Sequence, residues 1–340
     1  MSNKESQIYR YGGQAVMEGV MMRGKKKIAT SVRRPDGEIV TRTQDLSSFY
    51  TGFFRKTPFL RGTVALCESL LLGMSSLMFS ADIALQEADS EEKEASKENL
   101  EEATEEKTEK EATEVKKEKK NGIIDASMWL MVALSLALSI AIFFMAPLFI
   151  TRLLEPFLGG SSIAFNLVEG VIRIAIFLTY MWLVGYMKDI KRVFMYHGAE
   201  HKTINAYEAG AKLVPEVVRD YSTCHTRCGT AFLLIVMVVA VLVHSLLGKH
   251  VMWIMVLIRL GMLPVVAGIS YEIIQFNARH IDNPIIRVFI QPGLWLQKLS
   301  TRMPTDDMLE CAIASLIAVL EDDDPQKGVA ADGVQPVQEQ

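Results

Sequence analysis

Two long stretches without charged side chains constrain the fold of this chain more than any other feature. Residues 126–151 contain no ionisable group, and residues 229–248 contain only His244. At about 1.5 Å per residue, each stretch would cross a hydrocarbon layer of roughly 30 Å as an α-helix. Residues 163–187 and 251–276 are similarly apolar, although each carries two charged side chains. The sequence therefore predicts an α-helical integral membrane protein with about four transmembrane helices.

A fifth apolar stretch, residues 63–85, is harder to place relative to the membrane. It carries Glu68 and Asp82 and is rich in small side chains. Such a composition favours an interfacial or re-entrant helix, although its length also allows a full span. We expect the interfacial or re-entrant placement.

Basic side chains predict the orientation of the helices, because loops rich in Lys and Arg stay on the cytoplasmic side. They cluster before the first span and after the second, whereas the loops at 152–162 and 249–250 are short and weakly basic. Both termini and the loop of residues 188–228 are therefore predicted to face the cytoplasm.

The amino-terminal residues 1–62 are predicted to form a small cytoplasmic β-rich unit. Residues 28–32 and 38–42 flank Arg34-Pro35-Asp36-Gly37, a strong hairpin turn. The glycine-punctuated run upstream, residues 12–24, has neither the dinucleotide nor the P-loop spacing. It predicts either a tight crossing of strands or a backbone cradle for an anion.

The remaining boundaries follow from composition. Residues 86–121 are predicted to be a disordered or helical charged tether, since they are rich in Glu and Lys and almost lack large apolar side chains. Residues 122–276 form the predicted four-helix membrane body. Residues 277–322 are predicted to be a cytoplasmic tail containing an amphipathic helix, and residues 323–340 to be disordered.

The formal charge of −4 comes from the tether, because residues 87–120 contain 14 acidic and 8 lysine side chains. The rest of the chain is close to neutral, with basic residues near the predicted membrane. This distribution favours the lipid bilayer as a partner and gives no indication of nucleic-acid binding.

The motif His197-Gly198-Ala199-Glu200-His201 carries the strongest indication of chemistry. Two imidazoles four residues apart lie on one face of a helix and can bind one metal ion. The order H-x-x-E-H is typical of a class of zinc hydrolases. We therefore predict that His197 and His201 are metal ligands and that Glu200 is a catalytic general base.

Further candidate ligands lie in Cys224-His225-Thr226-Arg227-Cys228 and at Glu272. Thiolate, imidazole and carboxylate groups all bind zinc, and the predicted topology places these residues at the same cytoplasmic level as His197 and His201. His225, Cys228 and Glu272 are therefore predicted to complete a site for a divalent metal, most consistent with zinc.

Two functions fit this site. The first is a metal-dependent hydrolase with three protein ligands and a water, acting on a membrane-associated substrate. The alternative is a non-catalytic membrane protein in which His197, His201, Cys224 and Cys228 form a closed Cys₂His₂ site and another surface recruits a protein partner. The number of protein ligands distinguishes the two.

Polar groups inside the predicted spans form a second set. Glu169 and Arg173 are spaced to pair on one helix, and Glu169 is also the predicted partner of Arg259. Together with His244 they allow transport as a third, weaker hypothesis.

Five ordered motifs make the chain resemble the YqhQ-like family of bacterial integral membrane proteins, a domain of unknown function described as predicted metal-dependent enzymes. The motifs begin at Gly12, His197, His225, Gly268 and Gln291. The resemblance implies a multi-pass protein of the bacterial plasma membrane. It also implies that six residues fall in family motifs: His197, Glu200, His201, His225, Arg227 and Cys228.

Overall fold

The computed structural model describes residues 11–47, 57–101, 121–248, 250–323 and 337–338. The predicted tether lies partly outside these ranges; its described residues 86–101 and 121 are helical. The strands are β1 (Gly12–Val16), β2 (Gly19–Arg23), β3 (Lys27–Arg33), β4 (Ile39–Asp45) and β5 (Val337–Gln338). The helices are α1 (Leu60–Glu101), α2 (Asn121–Ile140), α3 (Ala146–Leu154), α4 (Ser162–Val184), α5 (Lys188–Glu208), α6 (Pro215–Val218), α7 (Gly229–Leu246), α8 (Met252–Gly261), α9 (Leu263–Arg279), α10 (Pro284–Ser300) and α11 (Asp306–Asp323).

The predicted amino-terminal hairpin is confirmed as part of a larger sheet. Strands β1 to β4 form an antiparallel meander, and β5 pairs in parallel with β4. In the β3–β4 turn, Gly37 has a φ of 94° and donates from its N–H to the carbonyl oxygen of Arg34 at 3.0 Å. Of the segment 323–340, predicted to be disordered, the structure describes residue 323 as the end of α11 and 337–338 as β5.

The glycine-punctuated run forms β1 and β2 and fits the tight strand crossing. A Cβ at Gly19 would lie 2.2 Å from the carbonyl oxygen of Ser31 in β3. The turn between β1 and β2 places Glu18 at a φ of 51°. There its carboxylate accepts hydrogen bonds from the guanidinium of Arg192 on α5, which attaches the sheet to that helix.

Helix α11 lies between the sheet and α5 and forms the centre of the largest core. Almost every residue from Met308 to Leu320 is buried. They pack with Val20 and Met22 of β2 and with Tyr196 of α5. The predicted amphipathic helix is thus buried on all sides, because its sequence is apolar around the whole circumference. The carboxy-terminal segment therefore completes the core of the amino-terminal sheet.

The other face of the sheet packs against α1. Val16, Val32 and Val40 form a second cluster with Phe79 and Ile83 of this helix. The sheet is consequently covered by α1 on one side and by α11 and α5 on the other.

Several helices are long and apolar enough to cross a membrane. They are Leu60–Ala84, Leu130–Phe157, Ser162–Val184 and Gly229–Leu246, and a fifth is obtained if Trp253–Gly261 and Leu263–Arg279 form one span. Many of their large apolar side chains point outward, among them Leu134 at 69% exposure. This arrangement matches the predicted class of fold, with four or five apolar helices and an amino-terminal β-sheet.

Two of these helices deviate from the predicted straight spans. Helices α8 and α9 meet at an angle of 44° around Met262, two residues before Pro264, and proline cannot continue the hydrogen bonds of a preceding turn. Residues 141–145 form a π-helical turn just before Pro147 for the same reason. Pro264, between Gly261 and Gly268, is the sequence signal for this bend, whereas helix α10 lies in the segment predicted as a cytoplasmic tail.

Candidate metal centre

Helix α5 places two histidines side by side. It begins at Lys188 with Asp189 in its first turn, where a negative charge suits the helix dipole. It ends near Gly210, which adopts a φ of 71°. The i,i+4 spacing brings the ring centroids of His197 and His201 to 4.4 Å.

Cys228 joins this pair from the start of α7. It is the N-cap residue, and its Sγ accepts a hydrogen bond from the backbone N–H of Thr230 at 3.4 Å. The Sγ lies 3.2 Å from Nε2 of His197. One potential ligand atom from each of His197, His201 and Cys228 lies within 4.8 Å of the others. In the described part of the chain, this is the group of three or more His, Cys, Asp or Glu residues whose geometry could hold a metal ion.

Two backbone carbonyls orient the imidazoles. Nδ1 of His197 lies 2.8 Å from the carbonyl oxygen of Ser300, and Nδ1 of His201 lies 2.6 Å from that of Thr223. Because a carbonyl oxygen only accepts hydrogen bonds, each Nδ1 must carry the proton. In the neutral imidazole, each Nε2 then keeps a free lone pair. Metal-binding histidines are commonly held in this way.

His225 lies beside the group and turns toward a different partner. Its ring centroid is 5.8 Å from that of His201, and its Nε2 is 3.6 Å from Oε2 of Glu208. Burial opposes ionisation of Glu208, but the neighbouring His225 and the positive charge of Arg227 outweigh it and lower the pKa of Glu208. The predicted ligand His225 is therefore paired with a carboxylate next to the cluster.

Glu200 is a buried carboxylate on the same helix. It is 5% exposed, and no hydrogen bond or ion pair joins it to another described residue. Gly13 of β1 makes room for it, because a Cβ at that position would lie 3.0 Å from Cγ of Glu200.

Glu272 lies outside the group of three. Both of its carboxylate oxygens accept hydrogen bonds from Arg61 of α1, and the N–H of Phe59 donates to Oε1 at 3.1 Å. Its partner is therefore a guanidinium on α1, and the structure does not bring Glu272 to the residues with which it was predicted to bind a metal ion. The prediction rested on Glu272 lying at the same depth in the membrane as the histidines. Depth alone does not determine which neighbour a side chain contacts.

Cys224, the fourth ligand of the alternative closed site, also lies outside the group. Its Sγ is 4.0 Å from the carbonyl oxygen of Leu294, and the amide of Asn205 donates to its backbone carbonyl at 3.1 Å. The described residues thus contain a three-residue His₂Cys arrangement. They do not bring the Cys₂His₂ set together.

Gln297 is an important neighbour that sequence analysis missed. It is fully buried, and its side-chain amide accepts from the N–H of His225 and donates to the C=O of the same residue, both at 2.8 Å. It belongs to the motif Gln291-Pro292-Gly293-Leu294-Trp295-Leu296-Gln297, which carried part of the resemblance. That motif was the available signal for its role.

Lys202 supports the same loop from α5. Its ammonium donates to the carbonyl oxygens of Arg219 and Tyr221, close to Thr223, which orients His201. Burial lowers the pKa of Lys202. The loop that carries His225 and Cys228 is therefore fixed by buried side chains on two helices.

The fold and the site define a helix-rich protein with membrane-length apolar helices, a sheet closed by its own carboxy-terminal helix, and a His₂Cys group beside that sheet. The chain belongs to the family described as "Protein of unknown function (DUF1385)", whose model matches residues 57–322. It is 35% identical over 318 residues to the uncharacterized protein YqhQ of Bacillus subtilis (strain 168), covering 91% of this chain and 92% of that protein. No solved structure matches the chain. The predicted family is thereby confirmed.

Proposed function

We propose that His197, His201 and Cys228 bind one divalent transition-metal ion, zinc-like in its preferences, and that the protein is a metal-dependent hydrolase of the bacterial plasma membrane. The supporting observation is the orientation of the ligands. Ser300 and Thr223 hold the two imidazoles so that both lone-pair nitrogens are available, and the Cys228 thiol lies 3.2 Å from one of them.

The donor set fits such an ion. Imidazole nitrogen and thiolate sulfur are common zinc ligands, and three protein ligands leave one coordination position for water or substrate. Cys228 caps the positive end of α7, a favourable place for a thiolate. A bound ion would supply Lewis acidity to a water or a carbonyl oxygen.

Glu200 is the proposed general base. It follows His197 by three residues on α5, and it is buried without a hydrogen-bonding partner among the described residues. A carboxylate of this kind can accept the proton of an attacking water. Glu208 and His225, which pair beside His201, would assist in fixing the site.

A membrane-associated substrate is consistent with the location. Cys228 precedes the first residue of α7, which is among the most apolar helices of the chain. A substrate reaching the site would therefore lie near the boundary between the polar sheet unit and the apolar helices. We propose that this boundary is the cytoplasmic face, with both termini on the same side.

Metal analysis of the purified full-length protein tests the proposal. We expect about one zinc per chain by elemental analysis, and loss of that zinc in His201→Ala and in Cys228→Ala. Cys224→Ala is the matched control and should keep the metal. Loss of metal in the Cys224 variant would favour the closed structural site, and a metal-free wild type after zinc loading would exclude both.

Catalysis needs a separate measurement. A panel of membrane peptides and lipid-linked esters presented in detergent should reveal turnover that Glu200→Gln abolishes while the zinc content is unchanged. Turnover at the wild-type level in Glu200→Gln would contradict the assigned role.

A further inference from the structure

A second cluster of buried charges lies at the other end of α7. Cys228 and His244 are 16 residues apart on this helix, which corresponds to about 24 Å. Around His244, helices α4, α7 and α8 bring together Glu169, Arg173 and Arg259. All four side chains are at most 5% exposed. Nothing in the proposed metal chemistry uses them.

The charges of this cluster do not balance. Both guanidiniums bind the same carboxylate oxygen, since Arg259 donates to Oε1 of Glu169 at 2.8 Å and Arg173 donates to the same atom. Glu169 is the carboxylate that forms ion pairs with either arginine in the described residues. One negative and two positive groups leave a net charge of +1. An uncompensated buried charge is strongly unfavourable.

The same cluster contains hydrogen-bonding groups without partners. The two ring nitrogens of His244 have no hydrogen-bond partner among the described residues, and the Nε of Arg173 has none either. Arg259 is also held by Asn166, whose Oδ1 accepts from Nη2 at 3.1 Å. Buried polar groups in native proteins rarely remain without partners, so a missing binding partner explains both the donors and the excess charge.

A small cavity lies beside His244 and Arg259 at this end of the helical body. It is lined by Asn166, His244 and Arg259 together with Gly248, His250 and Met255. Gly248 and His250 belong to the short connection between α7 and α8, so the cavity lies near the surface at the end opposite the metal cluster. It has room for one small charged group, either a small ion or the charged end of a lipid headgroup that lies at its opening.

We propose that this cavity binds one singly charged anionic group, which neutralises the Arg173–Glu169–Arg259 cluster and accepts hydrogen bonds from Arg259 and His244. Two sources share this chemistry: a small free anion such as chloride, and the phosphodiester of an anionic phospholipid. The site takes the anion from the side of the 152–162 loop and of the connection between α7 and α8.

Thermal unfolding of the full-length protein in neutral detergent tests the proposal in two arms. The first compares sodium chloride with sodium gluconate at equal ionic strength, because gluconate is too large for the cavity. The second compares added phosphatidylglycerol with phosphatidylcholine. At a ligand concentration about five times the dissociation constant, we expect the melting temperature to rise by about 1–2 °C in one arm, and that arm identifies the source.

Paired substitutions give opposite expected effects. Arg259→Gln brings the cluster to zero charge and should abolish the anion-dependent rise. Glu169→Gln leaves two unopposed guanidiniums and should increase anion affinity several-fold. Arg287→Gln, whose side chain is 67% exposed, is the control and should respond as the wild type does.

A further variant keeps the test decisive if Arg259→Gln does not fold. His244→Leu removes one donor at similar volume and should weaken the anion response even if Arg259→Gln does not fold. Equal melting temperatures in both arms of the wild type would overturn the proposal. A response that persists unchanged in Arg259→Gln or in His244→Leu would also overturn it.

Discussion

Gly198 on α5 lies directly against the carbonyl oxygen of Arg302, so that a Cβ at position 198 would be 2.1 Å from that oxygen. The N–H of Arg302 in turn donates to the carbonyl oxygen of Phe194 at 2.9 Å. This contact seats the segment after α10 on the turn of α5 that carries His197. It therefore also places the carbonyl oxygen of Ser300 at Nδ1 of His197.

Gly198→Ala should consequently destabilise the protein and loosen the metal site. A methyl group cannot be accommodated at 2.1 Å from a backbone oxygen, and overpacking of this kind costs about 1–3 kcal/mol. Metal affinity should fall as well, because the Ser300 carbonyl moves away from His197. Chemical denaturation and competitive zinc titration measure the two effects.

Gly261→Ala is the matched control for that substitution. Gly261 ends α8, and its Cβ would meet no atom within 4 Å. Alanine is favoured over glycine in helices by up to about 1 kcal/mol, so this variant should be neutral or slightly stabilising. If Gly198→Ala behaved in the same way, the close packing of α5 on residue 302 would be refuted.

Gln297→Leu should disturb the loop of His225 more than its volume change suggests. The substitution leaves the N–H and C=O of His225 buried without partners, at about 1–3 kcal/mol each. Zinc affinity is expected to fall roughly tenfold, as for other changes to the groups that support metal ligands. Gln291→Leu, at an exposed position of α10, is the control and should change neither property.

Glu272→Gln should leave the zinc content unchanged, although the sequence made Glu272 a candidate ligand. The structure assigns its carboxylate to Arg61 and to the N–H of Phe59. The ion pair is partly exposed, so its loss should cost only about 0.2–1 kcal/mol. A double-mutant cycle with Arg61→Gln measures that coupling. Loss of zinc from Glu272→Gln would show that Glu272 is a metal ligand after all.

The sequence predicts the relative positions of some candidate ligands better than those of others. His197 and His201 are four residues apart on one helix, so local periodicity alone predicts that they share a face. The positions of the Cys228 and Glu272 side chains depend on how separate helices are rotated about their axes. An apolar sequence pattern indicates how deep a residue lies in the membrane better than it indicates which way its side chain points. For this reason the sequence did not reveal that Glu272 pairs with Arg61.

The atoms that orient the two histidines could not be predicted from residue types. Ser300 and Thr223 act through backbone carbonyls, which every residue possesses, so no pattern of side chains could reveal them. Helix α11 shows the opposite case. Its sequence is apolar on all faces, and that property already indicated a buried helix where an amphipathic one had been predicted.

Cys311 in α11 should resist thiol reagents in the native protein. It is fully buried, and burial chiefly raises the pKa of its thiol to about 12, so almost no thiolate is present at pH 8. A variant that keeps Cys311 as its single cysteine should show no labelling by N-ethylmaleimide at pH 8 until the protein is denatured. Fast native labelling of Cys311 would mean that α11 leaves the core.

Helix α1 should lie along the membrane surface between residues 68 and 83. Over this length one side of the helix packs on the sheet, where Glu68 pairs with Arg23 and Ser76 contacts Thr30 at 3.0 Å. A sheet with unpaired edge groups does not enter hydrocarbon, so these turns cannot cross the bilayer beside it. Leu71, 61% exposed, belongs to the opposite, apolar side, which is the side we expect to meet lipid.

Spin labels distinguish a surface helix from a spanning one by depth. Labels at residues 70, 71, 74, 77 and 78, all on the exposed apolar side, should report nearly equal, shallow depths from oxygen and nickel accessibility in bilayers. Labels at residues 233, 238 and 242 on α7 serve as the reference, and their depth should change by about 1.5 Å per residue. The same progressive change along α1 would show that this helix crosses the membrane and that the sheet is positioned differently.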